Sequence, residues 1–302
     1  MPGPKFDVVV CGSLHLDIMV HGPHLPRPDE TVIGTAWGRT CGGKGGNQAV
    51  HAARQGARTA FIGRVGDDEF GSRLLANLDA ANVDRTSVAV DDKVGSGMSV
   101  AIVDADGDYG AVIVSGANLA IDPAGIGPSF VHLGGARVLL LQNEVPHAVN
   151  VSAAQAARRA GATVVFNAAP ARSSGDDLLG LVDVLVVNRV EAEMLAGVPV
   201  SDRASARAAL NTLGAAQRTV VVTLGSGGLV VAAPGQAPVE LEALPVKVVS
   251  THGAGDCFLG TLASRLADGD TVIDACRFAN KAAGIFVSTA LTKSERQGTG
   301  RD

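Results

Sequence analysis

The chain has 302 residues, a hydrophobic fraction of 46 % and a net charge of −5; at that length roughly three quarters of the unfolded surface is buried on folding, so no disulfide or metal is needed to hold it together. The acidic balance and the lack of any Lys/Arg cluster argue against a nucleic-acid partner, whose affinity would come from neutralised phosphates. No apolar run approaches the roughly 20 residues that span a bilayer, and Met1 to Lys5 lack signal-peptide architecture, so a cytoplasmic protein with no membrane partner is expected.

The elements alternate from the start. Phe6 to Cys11 reads as a buried strand, Gln48 to Gln55 as a helix closed by Gly56, Thr59 to Gly63 as a strand, and Glu69 to Ala81 as a helix with Phe70, Leu74, Leu75 and Leu78 on one side. Further strands are predicted at Val138 to Leu141, Thr163 to Phe166, Val184 to Val187 and Thr219 to Leu224, with helices at Ala148 to Arg159 and Ala204 to Leu213. Near-continuous apolar strands separated by helices predict an α/β fold, with a mostly parallel central sheet covered on both faces. Two stretches break the rhythm, about 18–39 and about 87–115. Their alternating segments, Met98 to Val103 and Ala111 to Val114, predict a small separate sheet, with Asp104 to Asp108 as a hairpin turn. Residues 1–292 read as one domain, and 293–302 as a polar tail expected to be mobile.

Aromatic residues are only 3 %, so the core must be built from Ala, Val, Leu and Ile. The cysteines Cys11, Cys41, Cys257 and Cys276 show no C-x-x-C spacing, and the histidines no H-x-x-x-H pair. Reduced, mostly buried thiols and no metal site at these residues are expected.

Chemistry concentrates in a few segments. Ser250 to Asp256 (STHGAGD) follows the apolar run Val246 to Val249, read as a strand, and precedes a helical pattern over Cys257 to Ala267. A strand, a small-residue turn and a helix N-terminus make an anion site, because free N–H groups and the helix dipole favour phosphate. Gly253, Ala254 and Gly255 let backbone approach a phosphoryl group, and Asp256 then stands where an incoming hydroxyl would surrender its proton. The plainer reading makes Asp256 a helix cap. Gly42, Gly43, Lys44, Gly45, Gly46 and Asn47 form a glycine-rich turn before a helix, in neither the Walker A nor the G-x-G-x-x-G frame. It suits close approach to a polar ligand, or a tight connection only. Asp17, just beyond the first strand, can accept from two adjacent hydroxyls or serve as a turn residue. Asn188 and Glu191 at a strand end could hold Mg²⁺ through water, or cap a helix carrying a surface Glu. Thr223 to Gly228 (TLGSGG) could be a nucleotide turn or a plain β-turn.

Taken in order, Gly-Ser-x-x-x-Asp, Gly-Gly-Lys-Gly-Gly-Asn-Gln-Ala, Asn-Arg-Val-Glu, Thr-Leu-Gly-Ser-x-Gly and Gly-Ala-Gly-Asp resemble the ribokinase-like (PfkB-type) sugar kinases. The phrases Ile62 to Asp68, Ser115 to Asn118 and Asn167 to Ala171 extend the resemblance over roughly residues 6 to 289. It implies an ATP- and Mg²⁺-dependent kinase for a small sugar, a pentose such as ribose first, with the small sheet as a lid and a homodimer through it. The sugar would be held by His15, Asp17, Gly42, Gly43, Lys44, Asn47 and Glu144. Asp256 would be the base and Gly253 to Gly255 the anion hole. The nucleotide would touch Asn188, Thr223, Gly225, Gly228 and Asn280, with Glu191 assisting Mg²⁺.

The chain departs from the family pattern in places. Ribose-phosphorylating members carry Asn where His15 stands and Asp where Ser250 stands, and that Asp helps bind an activating monovalent cation. The family's later Gly-Ala-Gln stretch is replaced by Thr289 to Lys293, so K⁺ activation is doubtful here. His252 beside the anion turn could meet a phosphate or simply be solvated. Trp37 falls in the lid region, where packing or a dimer contact is favoured over ring stacking. Alternatives are a kinase for a nucleoside or another sugar, and a non-catalytic binding protein on the same scaffold, against which the intact Gly-Ala-Gly-Asp turn argues. A dinucleotide oxidoreductase lacks its glycine fingerprint after the first strand.

Overall fold

The computed structural model describes residues 3–106, 108–172 and 175–289; the 293–302 tail and the segment Ala290 to Lys293 lie outside them. The chain opens with Phe6–Cys11 (β1), His15–His21 (β2), Ala36–Gly42 (β3), Lys44–Arg54 (α1), Thr59–Gly66 (β4), Glu69–Ala80 (α2) and Asp84–Asp91 (β5). Gly97–Val103 (β6), Tyr109–Val114 (β7), Pro123–His132 (α3), Ala136–Gln142 (β8), His147–Arg159 (α4), Thr163–Asn167 (β9) and Asp176–Leu179 (α5) follow. Then come Val184–Asn188 (β10), Arg189–Ala196 (α6), Arg203–Ala209 (α7), Thr219–Thr223 (β11), Leu229–Ala232 (β12), Val239–Leu241 (β13), Ala254–Ala267 (α8) and Val272–Ser288 (α9).

Nine strands form the main sheet in the order β13-β12-β11-β10-β9-β8-β1-β4-β5. Every neighbouring pair from β5 across to β11 is parallel, and β12 and β13 close one edge antiparallel. Both faces are covered, as the apolar strands require. In β1, Val9 and Cys11 join the core under α3, α4, α6 and α7. Val8 and Val10 point the other way, into the core under α1, α2, α8 and α9. Small and branched residues fill both cores, with Phe61, Phe130 and Phe166 as the fully buried aromatics. The chain leaves β1 toward β4 and β5 on one side and returns through β8 on the other. The order therefore reverses between β1 and β8, where ligands of such sheets bind, beyond the carboxyl ends.

A second sheet has the order β3-β2-β6-β7. Its pairing places Asp17 opposite Thr40 and Ser99, and Val20 opposite Trp37 and Ile102. Alternation thus puts Ile18, Val20, Trp37, Val100, Ile102, Val112 and Val114 on one face and Asp17, Met19, Ser99, Ala101 and Ile113 on the other.

Three expectations need correcting. Residues 87–91 fall in β5, which pairs with β4 in the main sheet rather than in the small one. Helix α1 begins at Lys44, not Gln48. Gly45 and Gly46 are poor helix formers, but both are buried, and Gly46 N donates to Ser13 O at 2.9 Å, so tertiary packing overrides propensity. The run Val246 to Val249 is not a strand. Val249 N and Ser250 N both donate to Val287 O at the end of α9, at 2.8 and 3.3 Å, and Val248 and Val249 are each half exposed.

Candidate active site

The site is assembled from strand ends and three helix N-termini. Past β1, the Ser13 hydroxyl donates to Glu144 Oε2 at 2.5 Å, and Glu144 follows β8. The same carboxylate oxygen accepts from Lys44 N at 2.8 Å, so an acidic side chain caps the positive end of α1. His15, buried, brings Nδ1 to 3.8 Å from that oxygen, and its Nε2 lies 3.3 Å from Asn118 Nδ2. Asn118 is fixed by three further bonds, from Leu14 N and to the carbonyls of Leu14 and Ser115.

Asp17 lies within β2 rather than in a turn. Its Oδ1 accepts from the Ser99 hydroxyl at 2.5 Å across the small sheet. Its other oxygen rests against Gly42, where a Cβ would come within 2.0 Å of it. A side chain at Gly42 would therefore expel the carboxylate. Burial raises the Asp17 carboxyl above the ordinary 3.8; Ser99, His15 and His252 oppose the rise and Glu144 adds to it.

Asp256 is in the first turn of α8, three residues past the cap position. The cap is Gly253, in the left-handed region at φ 78°, and no side chain caps this N-terminus. The plainer reading of Asp256 as the cap therefore fails. Its carboxylate turns to α1 instead: Asn47 Nδ2 donates to Oδ2 at 3.1 Å and Gln48 Nε2 to Oδ1 at 3.0 Å. Burial raises this carboxyl above the ordinary Asp value, opposed by Lys44 and by the Gln48 and Asn47 donors, while Glu144 adds to the rise.

Asn188 and Glu191 form a reciprocal capping box on α6, with bonds of 2.9 and 2.8 Å. Glu191 is not a surface residue, being 6 % exposed. Burial raises its carboxyl, with the Asn188 backbone bond and Lys44 opposing and Asp256 adding. Thr223 is the register partner of Asn188 at the end of β11. Gly225 opens a short 3₁₀ turn, and Gly228 backs onto the chain at Leu241 to Ala243. Asn280 of α9 donates to Glu242 O at 2.7 Å, so it is tied to this same segment.

The arrangement thus gathers His15, Asp17, Gly42, Gly43, Lys44, Asn47, Glu144 and Asp256 around the switch between β1 and β8. Asn188, Glu191, Thr223, Gly225, Gly228 and Asn280 form a second group along β10, β11 and the segment after β13. Lys44 links the two groups, since its charge reaches both Asp256 and Glu191. Sequence reasoning missed Ser13, Gln48, Ser99 and Asn118. Ser13, Gln48 and Asn118 stood inside quoted motifs, whereas Ser99 had no local signal, because its partner Asp17 is 82 residues away.

Residues 5–297 match the pfkB family carbohydrate kinase. The chain belongs to this family. It is an ATP-dependent carbohydrate kinase. The ribokinase of Haemophilus influenzae is 34 % identical over 282 residues, covering 93 % of this chain and 92 % of that one. A deoxyribokinase of Salmonella typhi is 31 % identical over 288 residues, covering 95 % and 92 %. Among solved structures, Arabidopsis thaliana ribokinase complexed with ribose and ATP superposes with a TM-score of 0.88 at 29 % identity, covering 98 % and 96 %.

No group of three or more His, Cys, Asp or Glu side chains among the described residues could hold a metal ion. All four cysteines are free, and no helix among the described residues is long and apolar enough to cross a membrane.

Proposed function

We propose that this kinase transfers the γ-phosphoryl group of ATP to a hydroxyl of ribose or a similar pentose, with Asp256 as the base. The observation that carries the reading is the Asp256 carboxylate. Both of its oxygens accept bonds from α1, in the first turn of a helix whose N-terminus no side chain caps. A sugar hydroxyl at Asp256 gives up its proton to the carboxylate as its oxygen bonds to the γ-phosphorus. The bond from that phosphorus to the bridging oxygen breaks, and ADP leaves. The N–H groups of the Gly253 to Gly255 turn, with the α8 dipole, serve as the anion hole for the moving charge. Lys44 adds positive charge on the same side.

The sugar lies between Asp17, Gly42 and Gly43 of the small sheet and its edge, and Lys44, Asn47 and Glu144 of the main domain, with His15 behind Glu144. In this reading the small sheet is a lid. The nucleotide runs along Asn188, Thr223, Gly225, Gly228 and Asn280. Mg²⁺ fits here in the limited way that it usually binds kinases, through phosphate oxygens, waters and one carboxylate. Glu191 would supply that carboxylate, from the first turn of α6, where Asn188 N donates to one of its oxygens. Bound there, Mg²⁺ would neutralise phosphate charge. Activation by K⁺ is expected to be weak or absent, because Ser250 offers a neutral hydroxyl in place of a carboxylate.

Relatives named ribokinase and deoxyribokinase match this chain at 31–36 % identity, so 2-deoxyribose is the second reading. The apolar small-sheet face with exposed Trp37, Val112 and Val114 supports a homodimer through the lid. Free cysteines suit a reducing compartment, and the cytoplasm is proposed. The test is a coupled ADP-release screen over ribose, 2-deoxyribose, hexoses and nucleosides. Turnover on a nucleoside with none on either pentose would overturn the assignment.

A further inference from the structure

Gln48 takes part in no step described so far, yet its side chain is completely buried and makes three hydrogen bonds to other side chains. Its Nε2 donates to Asp256 Oδ1 at 3.0 Å and to Asn167 Oδ1 at 3.3 Å, and its Oε1 accepts from Gln142 Nε2 at 2.8 Å. Asn167 in turn donates its amide to Val186 O at 3.2 Å. The ends of β8 and β9, the second turn of α1 and the first turn of α8 thus meet at one amide.

Donor and acceptor logic fixes every orientation in this set. Turning Gln48 over would set its oxygen against Asp256 Oδ1 and Asn167 Oδ1, and its nitrogen against Gln142 Nε2. Turning Gln142 over would set two carbonyl oxygens together. Turning Asn167 over would lose the bond to Val186 O. The set is therefore consistent only with an Asp256 that accepts at Oδ1. It also leaves Gln142 Oε1 buried without a partner, lying where a Cβ on Gly12 would be 2.0 Å away. A buried orphan oxygen is costly, and here it is the consequence of presenting two donors toward Asp256 and Asn167.

The spacing is built as well. One turn beyond Asp256, Gly260 lets α8 approach α1 so closely that a Cβ there would lie 2.6 Å from Gln48 O. That contact sets how far Gln48 stands from Asp256.

We infer that Gln48 is the positioning residue of this kinase: it holds the Asp256 carboxylate in orientation and in its charged form, and the amides of Asn167 and Gln142 hold Gln48. The inference rests on the reading of Asp256 as the base. Burial pushes the Asp256 proton affinity up, and a donor on each oxygen pulls it back. The other groups around this carboxylate are Lys44 from α1, Glu144 after β8, Glu191 from α6 and the Cys257 thiol next in α8, which burial pushes up to about 11 and so keeps neutral. Lys44 acts in the same direction as Gln48, while Glu144 and Glu191 oppose it. A proton on Asp256 Oδ1 would compete with the Gln48 donor, so the network favours the carboxylate form of the base.

The test uses the full chain with Gln48→Met, which keeps length and removes polarity, and Gln48→Glu, which keeps shape. Titration of Asp256 is followed by NMR of protein labelled at the Asp carboxyl carbon, its signal assigned by its loss in Asp256→Asn. The pH profile of kcat and the sugar KM are measured beside it. Gln48→Met is expected to raise the Asp256 midpoint by about one to two pH units, the worth of a hydrogen bond to a charged group. The acid limb of kcat should move with it, and the sugar KM should stay within about threefold. Gln48→Glu should move both further, since a second carboxyl disfavours the charge on Asp256. An unmoved midpoint in either folded variant overturns the inference, as does failure of both to fold, which would make Gln48 a structural residue. If the wild type phosphorylates no sugar, the proposed function falls, and the NMR titration still decides Gln48.

Discussion

Strands β1 and β2 are separated only by Gly12, Ser13 and Leu14, and they obey different rules. From Val8 to Cys11 nothing of β1 is exposed, and successive side chains enter two different cores. In β2, burial ends after Leu16, and Met19 is 44 % exposed. The first strand is clamped between helix layers, whereas the second belongs to a sheet with a large open face. That difference divides the site. Asp256, Asn47, Gln48 and Glu144 stand on elements rooted in the main cores. Asp17 and Ser99 stand on the small sheet, which has little burial to resist movement. In the proposed function, chemistry is held on the well-buried side, and recognition of the sugar is shared with the small sheet.

Breaking the rigid side should have the largest effect. Asp256→Asn is expected to lower kcat by at least about 10²-fold, the low end for loss of a general base, with nucleotide affinity unchanged by calorimetry. Near-normal turnover would falsify the assignment of the base. On the small-sheet side, Asp17→Ala should act on recognition. A lost carboxylate leaves sugar hydroxyls unpaired at roughly 1–3 kcal/mol, which is about 5- to 150-fold in the sugar KM. The ATP KM should move far less. Equal effects on both substrates would place Asp17 among structural residues and erase the division between the two sheets.

How far the sequence carries such an argument differs between the two sides. Main-sheet strands were legible because burial on both faces leaves unbroken apolar runs such as VVVC and VLVV, close to their observed limits. The same rule misled at Val246 to Val249, where an apolar run packs against the end of α9 without a strand partner. Composition cannot distinguish these cases, because pairing is a property of the neighbour. Strand β5 has polar and half-buried positions, so it resembles a small-sheet strand although it forms the edge of the main one. At the site, motif residues were visible because glycines and a carboxylate cluster locally. The Gln48 amide was not, since its meaning depends on Asn167 and Asp256, 119 and 208 residues away.

Glu191 offers a test of the rigid side that needs no substrate. Burial raises its carboxyl above the ordinary 4.5 in the folded state. A raised carboxyl favours the folded state at pH below its unfolded value, and that contribution is lost as pH rises through the folded value. At neutral pH the buried charge therefore costs stability. Glu191→Gln keeps the capping box, because Gln serves at that position as well, and removes the charge. Its Tm should exceed the wild type by a few degrees at pH 7, and the gap should close as pH falls toward 4. A variant less stable at pH 7 would mean that Lys44 and Asn188 more than offset burial.

The smallest expected signal reports on the movable side. Trp37 is the only Trp of the chain, stands on β3, and is 66 % exposed. Its ring lies 5.5 Å from the Arg39 guanidinium carbon, and Arg39 Nη1 donates to Glu69 Oε1 of α2 at 2.8 Å. Any swing of the small sheet toward a bound sugar must move Trp37 and Arg39 of β3 together relative to Glu69, which belongs to the main domain, and so disturbs the ion pair beside the ring. Saturating ribose without nucleotide should therefore change Trp37 emission, by tens of per cent at most, as the sheet closes. A homodimer through the same face would also bury Trp37, but its signal would follow protein concentration rather than sugar. Titrating sugar at two protein concentrations separates the causes. A change that saturates with sugar at the same midpoint in both belongs to closure, and one that appears only on concentrating the protein belongs to association. No change with a proven substrate at either concentration would mean that the small sheet is as fixed as the large one.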